Sequence, residues 1–195
     1  MFEMPITAII LAGGKSMRMH QDNKGLQLLK GQPLYSHVIA RVKPQVNYIL
    51  INSNRDIAQY QQSQYPVISD KIGGYLGPLA GIYSGLMVTT TDWNLIVSCD
   101  TPFLPFNLVK RLQQHCSDHL AAYVFDGERA HPTIMLIHRQ LASLIKRYLL
   151  RGERKLCGLF EEINAIQVDF SDNPQAFSNI NTFEELTYWN QKTCI

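Results

Sequence analysis

Ile6-Thr7-Ala8-Ile9-Ile10-Leu11-Ala12-Gly13-Gly14-Lys15-Ser16-Met17-Arg18 is the stretch on which the fold turns. Residues 6–11 form a continuous run rich in β-branched side chains, the pattern of a strand buried on both faces of a sheet. Gly13 and Gly14 then let the chain turn tightly and bring its backbone close to a ligand. Successive amides in such a turn make a concave anion site. Lys15, Arg18 and Lys24 place cations around it, and arginine can grip phosphate oxygens bidentately. A triphosphate suits this cradle; the plainer alternative is a surface turn with exposed cations.

Outward from this stretch, apolar strands alternate with helical spacings. Leu34, Val38 and Val42 predict a helix after Pro33, whose fixed φ suits a first turn. Strands are expected over Val46–Ile51, Val67-Ile68 and Asn94–Ser98, with a polar helix over Arg55–Gln62. A Gly-rich segment runs from Gly73 to Pro78. Leu108, Val109, Leu112 and Cys116 mark an inward helical stripe. Strands near Ala121–Phe125 and Thr133–Ile137 flank the turn-forming Asp126-Gly127-Glu128. Leu141, Leu144, Ile145, Tyr148 and Leu149 repeat with helical period. Thr182 and Glu185 form a capping box ahead of Phe183, Leu186 and Trp189.

This alternation predicts an α/β domain: a doubly wound, mostly parallel sheet with helices on both faces. The 195 residues suit one domain, its nucleotide-binding half at about 1–104 and its acceptor half at about 105–195. With 18 basic and 16 acidic side chains the balance argues against a nucleic-acid binder. No apolar run reaches membrane-spanning length, and the first residues lack a secretory pattern, so a cytoplasmic protein is expected. Cys99, Cys116, Cys157 and Cys194 contain no Cys-x-x-Cys pair, and inert thiols are the expectation.

Ligands on such sheets bind outside the carboxyl ends of the strands. That rule selects residues 12–24, 52–54, 69–71 and 99–102, where the polar and glycine-rich motifs fall. Two phosphate loops are excluded: a Walker motif needs glycine where Ile9 stands, and adjacency of Gly13 and Gly14 breaks the dinucleotide fingerprint. Asp100 follows a buried strand, where a carboxylate needs a cation or donors; its alternative is a helix N-cap. Asn52 has an amide able to pair with a base edge, and Asp70 a carboxylate able to accept from one; both types are also ordinary in turns. His115 and His119 lack the glutamate of a zincin, and Arg151, Glu153, Arg154 and Lys155 read as a solvated run.

Leu11-Ala12-Gly13-Gly14-Lys15-Ser16-Met17-Arg18-Met19 resembles the L-A-G-G-x-S-x-R-M signature of molybdenum cofactor guanylyltransferases, the MobA family. Relatives that transfer cytidylyl or uridylyl groups usually show L-A-A-G-x-G-x-R-M. Further likenesses follow in order: Lys24-Gly25, Gly31-Gln32-Pro33-Leu34, Asn52-Ser53-Asn54-Arg55, Asp70, and Gly77-Pro78-Leu79-Ala80-Gly81. Cys99-Asp100-Thr101-Pro102, His131-Pro132-Thr133 and Asn179-Ile180-Asn181-Thr182 complete them. Two positions depart from the usual R-M-G-x-D-K: His20 replaces the glycine, and Asn23 precedes Lys24.

The resemblance implies a Rossmann-like nucleotidyltransferase that moves GMP from GTP to molybdopterin-bound molybdenum cofactor, releasing pyrophosphate. It implies Arg18, Lys24 and Asp100 as catalytic residues, with Mg2+ on Asp100. Leu11, Ala12, Gly13, Gly14, Lys24, Asn52, Asp70 and Asp100 are implied for the nucleotide, and Asn179 and Asn181 for the acceptor. Partners would be proteins of cofactor synthesis and molybdoenzyme maturation, with neither nucleic acid nor membrane among them. A cytidylyl- or sugar-phosphate transferase of the same fold, or a non-catalytic nucleotide binder, stays open at this point.

Overall fold

A computed structural model of the chain describes residues 4–13, 23–74 and 76–192. The run 6–11 is a strand, β1 (Ile6–Leu11), followed by the two-residue strands β2 (Leu28–Leu29) and β3 (Gln32–Pro33) and by α1 (Leu34–Val42). Then come β4 (Tyr48–Asn52), α2 (Ile57–Gln61), β5 (Val67–Ile68), α3 (Pro78–Leu86) and β6 (Trp93–Ser98). The later part contains α4 (Leu108–Gln113), β7 (Ala121–Phe125), β8 (Ala130–His138), α5 (Ala142–Leu150), α6 (Leu156–Glu162), β9 (Ile166–Asp169) and α7 (Phe183–Gln191).

Seven strands form one sheet in the order β5-β4-β1-β6-β8-β7-β9. The pairs β4–β5, β1–β4, β1–β6 and β7–β9 are parallel, while β8 runs antiparallel to both β6 and β7. The expected mostly parallel, doubly covered sheet is therefore present. From β1 the chain builds outward to β4 and β5, then returns to β6 on the other side. The crevice at the carboxyl end of β1 is the switch point at which such sheets take ligands.

Alternate β1 side chains enter different cores, as period-two geometry requires. Ile6, Ala8 and Ile10 join Val38, Val42, Leu108, Leu112 and Phe177, whereas Ile9 and Leu11 join Leu79, Ile82, Ile145, Leu159 and Phe160. The one polar side chain in this strand, Thr7, is buried and shares a 2.8 Å hydroxyl hydrogen bond with Thr91.

Several local expectations change. β4 begins at Tyr48 rather than Val46, and α4 stops at Gln113, leaving Cys116 in the following turn. Helix α3, which no helical spacing announced, starts where the Gly-rich segment ends at Pro78. Its residues Leu79–Leu86 are all buried, and burial overrides glycine's poor helix propensity. A Cβ on Gly81 would stand 2.3 Å from Asn52 Oδ1, and one on Gly85 would stand 2.6 Å from Ile9 Cδ1. These glycines allow α3 to lie directly on β1 and β4. Helix α6 and strand β9 gave no clear period in so few residues. Cys157 is exposed, Cys116 is half-buried and Cys99 is buried.

Candidate active site

Strand register brings the end of β1 level with its neighbours: Leu11 pairs with both Asn52 and Ser98, and Asn52 pairs with Ile68. The residues that follow these strand ends therefore gather at one edge. They form two polar clusters.

The first is built from β4 and β5. Asn52 Nδ2 donates to Asp70 Oδ1 at 3.0 Å, and Asn54 Nδ2 donates to Asp70 Oδ2 at 2.7 Å. Asp70 N donates back to Asn54 Oδ1 at 2.8 Å. Gly13 lies beside this triad, since a Cβ there would meet Asn54 Nδ2 at 3.4 Å and Asn52 Oδ1 at 3.7 Å. Asn52 is buried and commits its amide to Asp70, whereas Asp70 and Asn54 are half-buried. Asn54, to which the sequence attached no role, is thus as central as Asn52. Both alternate positions can face one way if extended backbone continues past β4, and that spacing was its only signal.

Leu11 and Ala12 are buried and touch the site through backbone alone. Leu11 O accepts from Cys99 N at 3.0 Å, and Ala12 N donates to Asn52 O at 2.8 Å. Gly14 and Arg18, together with Lys15, Ser16 and His20, lie outside the described residues.

The second cluster joins three distant parts of the chain. Lys24 Nζ donates to Asn181 Oδ1 at 2.6 Å and forms an ion pair with Asp100 Oδ2 at 3.4 Å. Asn179 Nδ2 donates to Asp100 Oδ1 at 3.0 Å, and Ile180 N donates to the Asp100 carbonyl at 2.9 Å. The N-cap alternative for Asp100 fails, because the next α-helix starts only at Leu108, with Asn107 as its N-cap. Glu185 has two tasks here. It completes the α7 capping box with Thr182, and its Oε2 accepts from Asn181 N at 2.6 Å. The glutamate that completes the helix cap therefore also fixes the backbone of Asn181.

Asn23 explains one departure from the family pattern. Its Nδ2 donates to Asp56 Oδ2 at 3.0 Å, and its Oδ1 accepts from Tyr60 Oη at 2.6 Å and from Gly25 N at 3.3 Å. An amide can face a carboxylate and a hydroxyl together, which a second carboxylate could not do without repulsion. Gly25 must be glycine, for a Cβ would stand 2.4 Å from Tyr60 Oη. Burial pushes the Tyr60 phenol and the Cys99 thiol well above their ordinary ranges, so both stay protonated. His115 is exposed in the turn after α4, and His119 Nδ1 lies 3.0 Å from the Asn164 carbonyl. Arg151–Lys155 are exposed, with Arg151 paired to Glu162.

A family model described as the MobA-like NTP transferase domain matches residues 8–166. The chain belongs to this family. It is a nucleotidyltransferase, and its two polar clusters lie at the switch point where this fold takes its ligand. It is 48% identical over 187 residues to the molybdenum cofactor guanylyltransferase of Yersinia pseudotuberculosis strain IP 31758, spanning 96% of each chain. The guanylyltransferase of Yersinia pestis strain Pestoides F matches to the same extent.

Solved structures agree on the fold. Molybdopterin-guanine dinucleotide biosynthesis protein A from Archaeoglobus fulgidus superposes with a TM-score of 0.76 at 20% identity, over 95% of this chain and 97% of that one. A 4-diphosphocytidyl-2C-methyl-D-erythritol synthase from Anaerococcus prevotii gives 0.74 at 14% identity, over 96% and 97%. No helix among the described residues is long and apolar enough to cross a membrane.

Proposed function

We propose that this chain transfers GMP from GTP to molybdopterin-bound molybdenum cofactor, forming the guanine dinucleotide and pyrophosphate. The observation that carries this is the meeting of Lys24, Asp100, Asn179 and Asn181 at one point on the switch-point edge. It joins a nucleotide-side cation and carboxylate to two acceptor-side amides. The near-full-length likeness to guanylyltransferases supports guanine over other bases.

In this reading the Asn52–Asp70–Asn54 triad fixes the base and ribose, with Asp70 holding two amides in place. Backbone from Leu11 to Gly14 cradles the phosphates, and Arg18 and Lys24 neutralise them. Asp100 fits Mg2+, which prefers one or two carboxylates supplemented by phosphate oxygens and water. Its Lys24 contact is loose at 3.4 Å, the ammonium's shorter bond going to Asn181, so the carboxylate can turn to a metal ion. Mg2+ held there would supply charge neutralisation to the phosphates.

Asn179 and Asn181 orient the acceptor's terminal phosphate for in-line attack on the α-phosphorus. That phosphate has a second pKa near ~6 and is largely ionised at neutral pH, so no general base is needed. Positioning and electrostatics suffice.

The test has two arms. GTP with Mg2+ should raise the melting temperature more than CTP or UTP does. With molybdopterin-bound cofactor as acceptor, the protein should release pyrophosphate and form the guanine dinucleotide. A clear preference for CTP, or product only with sugar phosphates, would overturn the assignment.

A further inference from the structure

The catalytic reading leaves one buried carboxylate–imidazole pair unused. Asp126 and His131 sit where β7 ends and β8 begins, and both are over nine-tenths buried. β7 runs parallel to β6, because β8 is antiparallel to both. The pair therefore lies on the same sheet edge as Asp100. Asp126 Oδ1 accepts from Glu128 N at 2.9 Å and Arg129 N at 2.7 Å, and its Oδ2 lies 2.6 Å from His131 Nε2. Burial raises the Asp126 pKa, but these amides and the imidazole outweigh it and bring it down to about 2. An ionised carboxylate only accepts, so Nε2 carries the proton it shares.

The imidazole has a second neighbour. Its ring lies 5.5 Å from the Phe177 ring, which in turn makes an edge contact at 5.1 Å with Phe170. The Arg111 guanidinium lies over the Phe170 ring, 3.8 Å from its centroid. The β7–β8 ladder breaks here: Tyr123 pairs with Met135, but the next residue, Val124, pairs with His131. Pro132, Thr133 and Ile134 bulge out, and Pro132 has no amide to offer a ladder. Bulges near sites re-aim side chains, and His131 stands at this break with its ring against Phe177. Two residues past Phe177 stands Asn179, bonded to Asp100.

We propose that Asp126 and His131 are positioning residues for the acceptor side of the reaction. The carboxylate orients the imidazole, the imidazole holds Phe177, and Phe177 sets Asn179 against Asp100. This rests on the reading of Asn179 as an acceptor-side residue.

The experiment uses the full chain with saturating GTP and Mg2+ and varied molybdopterin-bound cofactor. Asp126→Asn keeps shape but removes the charge; His131→Gln keeps an amide donor but removes the ring. Each should raise the acceptor KM about 5–10-fold and change kcat less than about threefold, and the GTP-induced melting shift should hold. Placed in an Asn179→Ala background, each should lose its effect on KM. In parallel, the Asn179 side-chain amide NMR signal, assigned from Asn179→Ala, should move in both variants while those of Asn52 and Asn54 stay. An unmoved Asn179 signal, or a KM effect that persists without Asn179, overturns the proposal. If the wild-type chain makes no guanine dinucleotide, the transfer reading falls on that control, and the amide signal still decides the positioning link.

Discussion

Lys24 and Asn181 are 157 positions apart, yet Lys24 Nζ donates to Asn181 Oδ1 at 2.6 Å. The bond ties the end of the amino-terminal loop to the residue just before Thr182, the N-cap of α7, so in the proposed reading a nucleotide-side cation and an acceptor-side amide share one location. Lys24→Met should remove both this bond and the Asp100 contact. The expected loss in kcat/KM is about 100-fold, matching the ~3 kcal/mol of one preorganised electrostatic contact. Pyrophosphate release measures it, and a thermal melt within a few degrees of wild type shows that the fold survives.

Asp100→Ala should abolish Mg2+-dependent pyrophosphate release while the protein stays folded. The carboxylate contributes two side-chain contacts at the site edge and no helix cap. Retained turnover would remove Asp100 from the chemistry.

Asn23→Asp, although it restores the more usual residue of the family pattern, should destabilise this chain. It would set two carboxylates together where Asn23 Nδ2 now meets Asp56 Oδ2 at 3.0 Å. A loss of about 1–3 kcal/mol is expected. Adding Asp56→Asn should recover most of it, since asparagine also tolerates the positive φ of 52° at that position. Urea unfolding of the two single variants and the double variant measures the coupling.

Gly81→Ala should cost about 1–3 kcal/mol, because the new methyl would collide with Asn52 Oδ1. Asn52 must shift, so the GTP-induced rise in melting temperature should shrink as well. Asn52→Ser in the same chain should return stability by opening space, but not the GTP response.

Asp126 makes stability depend on acid pH with a definite sign. Its folded pKa lies at about 2, below the ordinary 3.8. The stabilisation is therefore present above pH 4 and is lost as pH falls toward 2. The shift corresponds to about 2 kcal/mol. Urea unfolding should show a gap between wild type and Asp126→Asn that closes as pH falls below 4.

Features encoded within a few residues were legible. β1 announced itself by an uninterrupted apolar run, and the α7 start by Thr182 and Glu185. Asp70 and Asp100 stood out because they follow strands. Helix α3 was not legible: Gly81 and Gly85 weaken local helix preference, and only contact with Ile9, Leu11 and Asn52 explains them. Asn54 and Glu185 were hidden for a related reason, since their partners come from other segments.

Local chemistry thus settled most element types, α3, α6 and β9 apart, together with the phosphate-loop composition and the motif order, because each depends on neighbours within a turn or a strand. Only the tertiary structure decided that Lys24 meets Asn181, that Asn179 clasps Asp100, and that Asn52 is buried against Asp70. Those contacts depend on the order β5-β4-β1-β6-β8-β7-β9 and on how closely α3 approaches the sheet. Strand order and helix approach are set by packing the two faces of the sheet at once, which no short window of sequence contains.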